Sequence, residues 1–125
     1  MKIKPTNKEF EILQVLWKLE QASVRTVHEI MHPNEEKGYT TTLKLMQIMW
    51  EKGLIDRKKE GKTHLYTSLV SEEGIRNSML ERFVDTVFNG SASSLVLQVL
   101  GNSKNTQKDL DEIREMLNQL DQKGE

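Results

Sequence analysis

Histidines are the residues of this sequence that most readily suggest a metal site. His28 and His32 are four residues apart, the spacing at which two side chains share one face of a helix. No third ligand follows at a fixed spacing and the chain has no cysteine, so the sequence favours surface histidines, and the same holds for His64. Nucleophile elbows, Gly-rich phosphate loops and carboxylate pairs outside solvated helix faces are also absent from the sequence. We therefore expect no enzyme, no metal and no cofactor.

A stripe of polar residues in the middle of the sequence has the chemistry needed to read DNA bases. Its members repeat at steps of four, three and four and so share one helix face: Thr40, Lys44, Gln47 and Glu51. Together with Thr41, the first three occupy the N-terminal half of the helix, where a recognition helix meets base edges. Glutamine can form two hydrogen bonds with adenine, and threonine methyls suit thymine. Ile48 and its apolar neighbours are expected to be covered on the other side.

A basic cluster follows this helix at a distance suited to phosphate contacts. It consists of Arg57, Lys58, Lys59 and Lys62. At the edge of a hairpin these cations can neutralise phosphates on the flanking backbone or enter a minor groove. The alternative interpretation of the charge run is a solvated strand. Tyr39, at the start of the helix, either packs against sugar and phosphate or caps the core.

Three helices and a hairpin must position these residues. A capping box predicts a first helix over about residues 6–19, and Ser23 caps a second that ends before the polar loop 33–38. The polar stripe lies on a third helix, Thr40 to Lys52, which stops at a glycine. Two short segments around a turn at Glu60–Lys62 then read as an antiparallel hairpin. The fold class is thus mostly α with a small β-hairpin, in the order of a winged helix-turn-helix.

The C-terminal part of the chain predicts three more helices with unsatisfied apolar surface. The fourth ends at Asn89, the fifth is opened by Ser91 or Ser94, and the sixth begins near Thr106. The sixth carries a short heptad seam. A symmetric dimer would supply the missing partner surface, and the alternative is a helical hairpin folded onto the domain core. The residues predicted to dimerise are Phe83, Val87, Leu95, Leu97, Leu110, Ile113, Leu117 and Leu120.

Charge divides the chain at the same place as the hydrophobic pattern. Residues 1–70 hold 12 Lys and Arg against 9 Asp and Glu, which gives +3, and residues 71–125 hold 6 against 10, which gives −4. The sum agrees with the net charge of −1. We therefore predict a winged-helix DNA-binding domain over residues 1–70 and a helical dimerisation domain over residues 71–125.

Length and composition limit the class of protein further. The chain has 125 residues, enough for one domain with a small appendage, and 30% of them are charged. No apolar run approaches the roughly 18 residues that a bilayer span needs, and the first residues lack the apolar stretch of a secretion signal. The expected compartment is the cytoplasm, without membrane insertion.

Five separate sequence blocks carry a family resemblance that covers essentially the whole chain. They are Thr6-x-x-Glu9 with Ile12-Leu13-x-x-Leu16-Trp17, Tyr39-Thr40-Thr41-Thr42, Glu51-Lys52-Gly53-Leu54-Ile55, Gly61-Lys62 with Tyr66, and Ser94-Leu95-Val96-Leu97. In their order and spacing they resemble the penicillinase-repressor family, the BlaI/MecI-type transcriptional repressors.

The resemblance implies a mode of action. It implies a homodimer whose winged helices bind a palindromic operator, with the third helix in the major groove, and whose C-terminal helices dimerise. It also implies relief of repression by a membrane-bound sensor with a zinc-metalloprotease domain, which cleaves the repressor in its dimerisation region. The best-known members have an Asn-Phe pair at the cleaved bond, where this chain has Gln98-Val99.

Two other functions are compatible with the same elements. A winged helix can serve as a protein-interaction adaptor without sequence-specific DNA binding, and weak salt dependence of partner binding would favour it. A repressor can also sense a small ligand, for which a buried pocket is the distinguishing feature.

Overall fold

The computed structural model describes residues 5–102 and 104–123, and this part of the chain contains six helices and a two-stranded sheet. The first four residues, which were used to judge the absence of a secretion signal, lie outside the described residues. The mostly helical class with one hairpin is confirmed. The elements are α1 (Asn7–Leu19), α2 (Val24–Met31), α3 (Tyr39–Glu51), β1 (Ile55–Glu60), β2 (Thr63–Ser68), α4 (Glu72–Phe88), α5 (Ala92–Leu100) and α6 (Gln107–Lys123).

The predicted capping box begins α1 and also ties this helix to α3. The Thr6 amide donates to Glu9 Oε1 at 2.9 Å, and the Glu9 amide donates to Thr6 Oγ1 at 3.2 Å. The Glu9 side chain is buried and accepts a second hydrogen bond from Lys52 Nζ at 2.6 Å. Because Lys52 directly follows α3, this ion pair joins the start of the first helix to the end of the third.

Both ends of α3 depend on glycine. Gly38, just before the helix, has φ +90°, and Gly53, just after it, has φ +82°. Side chains with a Cβ rarely adopt these left-handed conformations. The predicted stop at Gly53 is therefore confirmed, and the helix is separated cleanly from the hairpin that follows.

The core that holds α3 in place is built from all of the first five elements. The Trp17 indole donates to Ser68 Oγ and to the Val70 carbonyl, both at 3.0 Å, and so fastens α1 to the end of the hairpin. The side chains of this core are Ile12, Leu13, Leu16, Ala22, Val24, Val27, Met46, Met49, Leu54, Ile55, Tyr66 and Ile75.

The hairpin is a regular antiparallel pair with a two-residue turn at Gly61 and Lys62. It is attached to the helices by backbone hydrogen bonds between Ala22 and Tyr66, at 3.1 and 2.8 Å. Residues directly opposite each other point to the same face of the pair, and consecutive residues alternate. The register therefore decides which predicted cations can act together.

The chain divides into two compact units whose border falls between Glu81 and Arg82, within α4. We call them unit 1 and unit 2. The start of α4 belongs to unit 1 because Ile75 is buried in its core and Met79 packs against it. The predicted division of roles between residues 1–70 and 71–125 concerns function and stays a prediction.

Unit 2 contains the rest of α4 and the last two helices. Ser91, one of the two predicted caps of α5, accepts a hydrogen bond from the Ser94 amide at 3.2 Å and is the N-cap. Thr106 and Asp109 form the predicted box before α6, with two hydrogen bonds of 3.1 Å. Along the described parts of the chain, no single helix is both long and apolar enough to cross a membrane.

Candidate nucleic-acid interface

The polar stripe of α3 is on the surface, as the spacing predicts. Thr40, Lys44, Gln47 and Glu51 are all exposed, and so is Thr41. The opposite side of the helix carries Thr42, Met46 and Met49, which are buried in the core of unit 1. Helix α3 thus presents an uninterrupted row of hydrogen-bonding side chains to solvent.

Ile48 corrects one prediction about this helix. It was expected to be covered, but 40% of its surface is exposed. It follows Lys44 by four residues and Thr41 by seven, so the helical repeat places it on the same side as these two exposed residues. The apolar side chain of Ile48 suggested burial, but its angular position on the helix places it on the exposed side.

Arg57 is a predicted hairpin cation that contacts α3 directly. Its guanidinium carbon lies 3.9 Å from the centre of the Trp50 ring, within the range of a cation–π contact. Trp50 itself has 39% of its surface exposed. The contact orients the arginine beside the C-terminal end of α3 and partly buries it.

The other predicted cations of the hairpin do not share one face. Lys59 is opposite His64, so it points to the same side of the strand pair as Arg57 and Tyr66. Lys58 is the residue between them and points to the other side. Lys62 lies in the turn. All three lysines are exposed, but the structure divides what the sequence presented as one cluster.

A cleft of about 270 Å³ lies between the hairpin tip and the N-terminal ends of α2 and α3. Its cationic lining consists of Lys62 and Arg25, with His64 beside them. Arg25 lies 4.3 Å from the centre of the Tyr39 ring and donates to Glu36 Oε2 at 3.1 Å. Sequence reasoning missed Arg25 as a site residue. Its position at the start of the first helix of a helix-turn-helix, which crosses the DNA backbone, was the available signal.

Tyr39 supports the start of α3. Its ring is partly buried, packs against the core of unit 1, and lies 5.7 Å from the ring of His28. Of the two predicted roles, the structure shows the contact with the core. The same ring carries the guanidinium of Arg25, so Tyr39 also positions a cation at the cleft.

His28 is not the surface residue that the sequence suggested, since only 1% of it is exposed. Its Nδ1 lies 2.9 Å from Thr42 Oγ1, and its Nε2 lies 2.8 Å from the carbonyl oxygen of Glu35. Because a carbonyl oxygen only accepts, Nε2 is the donor in that bond. His28 therefore connects α2, the loop after it and α3. These contacts could not be predicted from sequence, because the Glu35 carbonyl reaches the ring only in the folded chain.

His32 is partly buried beside His28, and His64 lies on the hairpin. The rings of His28 and His32 are 5.1 Å apart, and His64 is exposed as expected. Within residues 5–102 and 104–123, no three His, Cys, Asp or Glu side chains are grouped so that they could hold a metal ion.

The residues predicted to dimerise lie mostly on the surface of unit 2. Phe83, Val87, Leu97, Leu117 and Leu120 are exposed, and 71% of the surface of Leu97 is accessible. The remaining three are partly buried: Leu95, Leu110 and Ile113. Within α5, all of which the structure describes, no residue is buried.

The predicted cleavage position lies near the end of α5. Gln98 and Val99 are both exposed, and 47% of the surface of Val99 is accessible. The Val99 carbonyl accepts hydrogen bonds from the Asn105 side-chain amide and from the Asn102 backbone amide. The bond is therefore accessible but held in a helical turn.

Comparison with known proteins agrees with this architecture. A family model described as penicillinase repressor matches residues 5–119. The methicillin resistance regulatory protein MecI of Staphylococcus aureus (strain N315) is 31% identical over 110 residues, which cover 88% of this chain and 89% of that protein. The penicillinase repressor of Staphylococcus aureus is 24% identical over 115 residues, covering 92% of this chain and 91% of that protein.

A solved structure supports the fold. The solution structure of the DNA-binding domain of the repressor BlaI matches 58% of this chain and 90% of its own, with a TM-score of 0.51 and 23% identity. This match confirms the winged-helix class. The relatives are regulatory proteins and repressors, which confirms that the chain is not an enzyme. With the family model matched along most of its length, the chain belongs to the penicillinase-repressor family of transcription regulators.

Proposed function

We propose that this protein is a homodimeric transcriptional repressor that binds a palindromic operator with α3 in the major groove. The observation that carries the proposal is the exposed polar stripe of α3, held by a buried core and placed beside the cations of the hairpin. A helix fits the major groove, where threonine, lysine and glutamine side chains can bond base edges. The base-reading residues in this proposal are Thr40, Thr41, Lys44 and Gln47.

The phosphate contacts are proposed to flank α3 on both sides. At its N-terminal end, Arg25 and Lys62 line the cleft beside the hairpin turn. At its C-terminal end, Arg57 rests on Trp50. Lys58 and Lys59 extend the positive charge to the two faces of the hairpin. Cations at these positions would bind backbone phosphates and release counterions, which makes affinity depend on salt.

The dimer is proposed from the surface of unit 2. Large apolar side chains in water mark an interaction surface, and Leu97, Leu117 and Leu120 each have more than half of their surface exposed. A two-fold dimer buries the same patch on both copies. It also presents two recognition helices, which is why a palindromic operator is expected.

Relief of repression is proposed to follow the route implied by the family. In the cytoplasm, a membrane-bound sensor with a metalloprotease domain would cut the chain at Gln98–Val99 after an antibiotic signal. The exposure of both residues supports access to this bond. Since Val99 is in a helical turn, that turn must unwind before a protease can bind it. Cleavage would separate part of the dimerisation region, and two half-sites no longer held together bind DNA more weakly.

Binding to DNA from upstream of the protein's own gene tests the central claim. The affinity is measured beside scrambled DNA of equal length, from about 50 to 300 mM salt and at several protein concentrations. We expect a steep salt dependence on both DNAs and an additional sequence-specific component that is cooperative in protein. Binding that is absent or insensitive to salt would contradict the proposal and favour the adaptor function, for which a protein pull-down would follow.

The mass of the repressor recovered from host cells tests the route of relief. After exposure to a β-lactam, we expect fragments that end at Gln98 and begin at Val99, together with derepression of the target gene. Untreated cells provide the control. An intact chain in cells whose target gene is derepressed would exclude proteolysis as the signal.

A further inference from the structure

Ile48 is an apolar side chain on the otherwise polar face of α3. Leu43 and Leu45 of the same helix pack against the core of unit 1, whereas 40% of the Ile48 surface is exposed. Lys44 lies one turn before it and Thr41 two turns before it, and both are exposed. Ile48 thus stands in line with two of the proposed base-reading residues.

Isolation distinguishes Ile48 from a protein-docking patch. The other exposed large apolar residue of α3, Trp50, carries the guanidinium of Arg57 over its ring. Stable protein interfaces bury on the order of 800 Å² per partner, far more than one exposed side chain can provide. Lys44 one turn before Ile48 and Thr41 two turns before it can bond a nucleic acid, whereas Glu51 one turn after it is acidic. The isoleucine side chain itself suits one small apolar group.

The major groove of DNA offers one such group, the C5 methyl of thymine. Isoleucine has no hydrogen-bond donor or acceptor in its side chain, so other base edges and phosphates give it no partner. Recognition helices of the helix-turn-helix class distribute their base contacts over about two turns, which includes the distance from Thr41 to Ile48. We propose that Ile48 is a specificity-determining residue that contacts a thymine methyl in each operator half-site. This inference rests on the proposed function and adds one contact to it.

The test removes the methyl from DNA and the side chain from the protein separately. The full-length chain first selects its preferred duplex from a randomised pool. Each thymine of that duplex is then replaced by uracil, which keeps every hydrogen bond and loses only the methyl. For the unsubstituted protein we expect a thymine position in each half-site at which affinity falls about fourfold, the factor for exposing one methyl-sized group to water, beside any thymine that the methyls of Thr40 or Thr41 contact.

Variants of two exposed isoleucines then assign the effect to Ile48. Ile48→Ala should bind the thymine and uracil duplexes equally at that position. Ile30→Ala is the matched control, because it makes the same truncation on α2, where 49% of the Ile30 surface is exposed. This variant should keep the fourfold difference between the two duplexes. Thermal unfolding followed by circular dichroism confirms that both variants are folded.

Each negative result of this test contradicts a different claim. If no duplex is enriched by the chain, the proposed DNA-binding function itself is wrong. If a duplex is enriched but no uracil substitution changes affinity, Ile48 contacts no methyl. If Ile48→Ala retains the fourfold difference, another residue makes the contact. Either of the last two results overturns the inference and leaves the repressor function intact.

Discussion

At the scale of single residues, Gln47 and Lys59 separate base recognition from phosphate attraction. Gln47 is exposed on α3, where its amide can form two hydrogen bonds with an adenine. We expect Gln47→Ala to weaken binding to the operator by roughly 1–3 kcal/mol and to change binding to scrambled DNA very little. Titration of both DNAs by fluorescence anisotropy at one salt concentration measures the difference.

Lys59→Ala is the matched control for this measurement. Lys59 is exposed on the hairpin and is proposed to contact phosphate, which is the same in every sequence. The variant should therefore bind operator and scrambled DNA more weakly by the same factor, and the salt dependence should become less steep. Equal losses on both DNAs for Gln47→Ala would remove its base-reading role.

Residue periodicity predicted the exposed stripe but not every member of the face. Thr40, Lys44 and Gln47 could be identified because both their spacing and their polarity indicate the surface. Ile48 could not, because its residue type favoured burial while its position on the helix favoured exposure. His28 was missed for the converse reason. A polar histidine was expected on the surface, whereas this one is buried and bonds the loop carbonyl of Glu35.

At the scale of elements, His28 fixes the start of α3 relative to α2. Its ring bonds Thr42 in α3 and the loop carbonyl of Glu35, and it is buried. Truncation removes the hydrogen-bond partner of the Glu35 carbonyl, while Thr42 keeps its hydrogen bond to the Gly38 carbonyl at 3.3 Å. We expect His28→Ala to lower the free energy of unfolding by about 1–3 kcal/mol, as measured by urea denaturation.

His32→Ala provides the comparison for that measurement. His32 lies one turn later on the same side and is partly exposed, with a 3.9 Å contact to the carboxylate of Glu35 and a ring contact with His28 at 5.1 Å. Its removal should change stability by less than about 0.5 kcal/mol. If both variants lose the same stability, the contacts of His28 do not hold the two helices together.

The Glu9–Lys52 ion pair makes the second connection to α3, at its other end. The Glu9 side chain is 3% exposed and the Lys52 side chain is 35% exposed. Fully buried pairs cost about 3–5 kcal/mol when one partner is removed. Water can reach the lysine end of this pair, so we expect Lys52→Met to lower the free energy of unfolding by about 1–2 kcal/mol.

Lys8→Met is the reference variant, because it removes an exposed cation from α1, the helix that carries Glu9. Lys8 lies 3.8 Å from Glu11, with both side chains more than half exposed. Such pairs contribute about 0–1 kcal/mol. If urea denaturation shows that Lys52→Met is no less stable than Lys8→Met, the Glu9–Lys52 ion pair does not support the end of α3.

Local elements could be predicted from sequence, while the contacts between them could not. Caps such as Ser23 and the turn at Gly61 depend on a few neighbouring residues, which the sequence displays directly. The Lys52 to Glu9 bond and the pairing of Ala22 with Tyr66 join residues far apart in the chain. The register of the hairpin, which separates Lys58 from Lys59, also appears only when the strands are paired.

At the scale of the whole molecule, the apolar surface of unit 2 is the feature that the sequence anticipated most directly. Two strongly apolar helices with few residues left to cover them predicted exposed leucines, and α5 has no buried residue. The border between the units was less predictable. Charge and hydrophobic pattern change near residue 70, whereas the first turns of α4 contribute Ile75 to the core of unit 1.

The proposed dimer can be tested through Leu117 on α6. This residue has 53% of its surface exposed and lies three residues before the exposed Leu120, on the same face of the helix. A carboxylate placed in an apolar seam must either be desolvated or keep the helices apart. We therefore expect Leu117→Asp to sediment as a monomer at concentrations where the unsubstituted chain sediments as a dimer.

Gln119→Asp adds the same charge to α6 on the opposite side of the helix, two residues further on. It should remain dimeric, which separates the effect of the seam from the effect of charge. On DNA, Leu117→Asp should bind a single half-site as well as the unsubstituted chain does. It should bind the full palindrome more weakly, because the second half-site no longer benefits from a high effective concentration. A dimeric Leu117→Asp would exclude this face of α6 from the interface and leave it to the exposed apolar residues of α5, which are Val96, Leu97 and Val99.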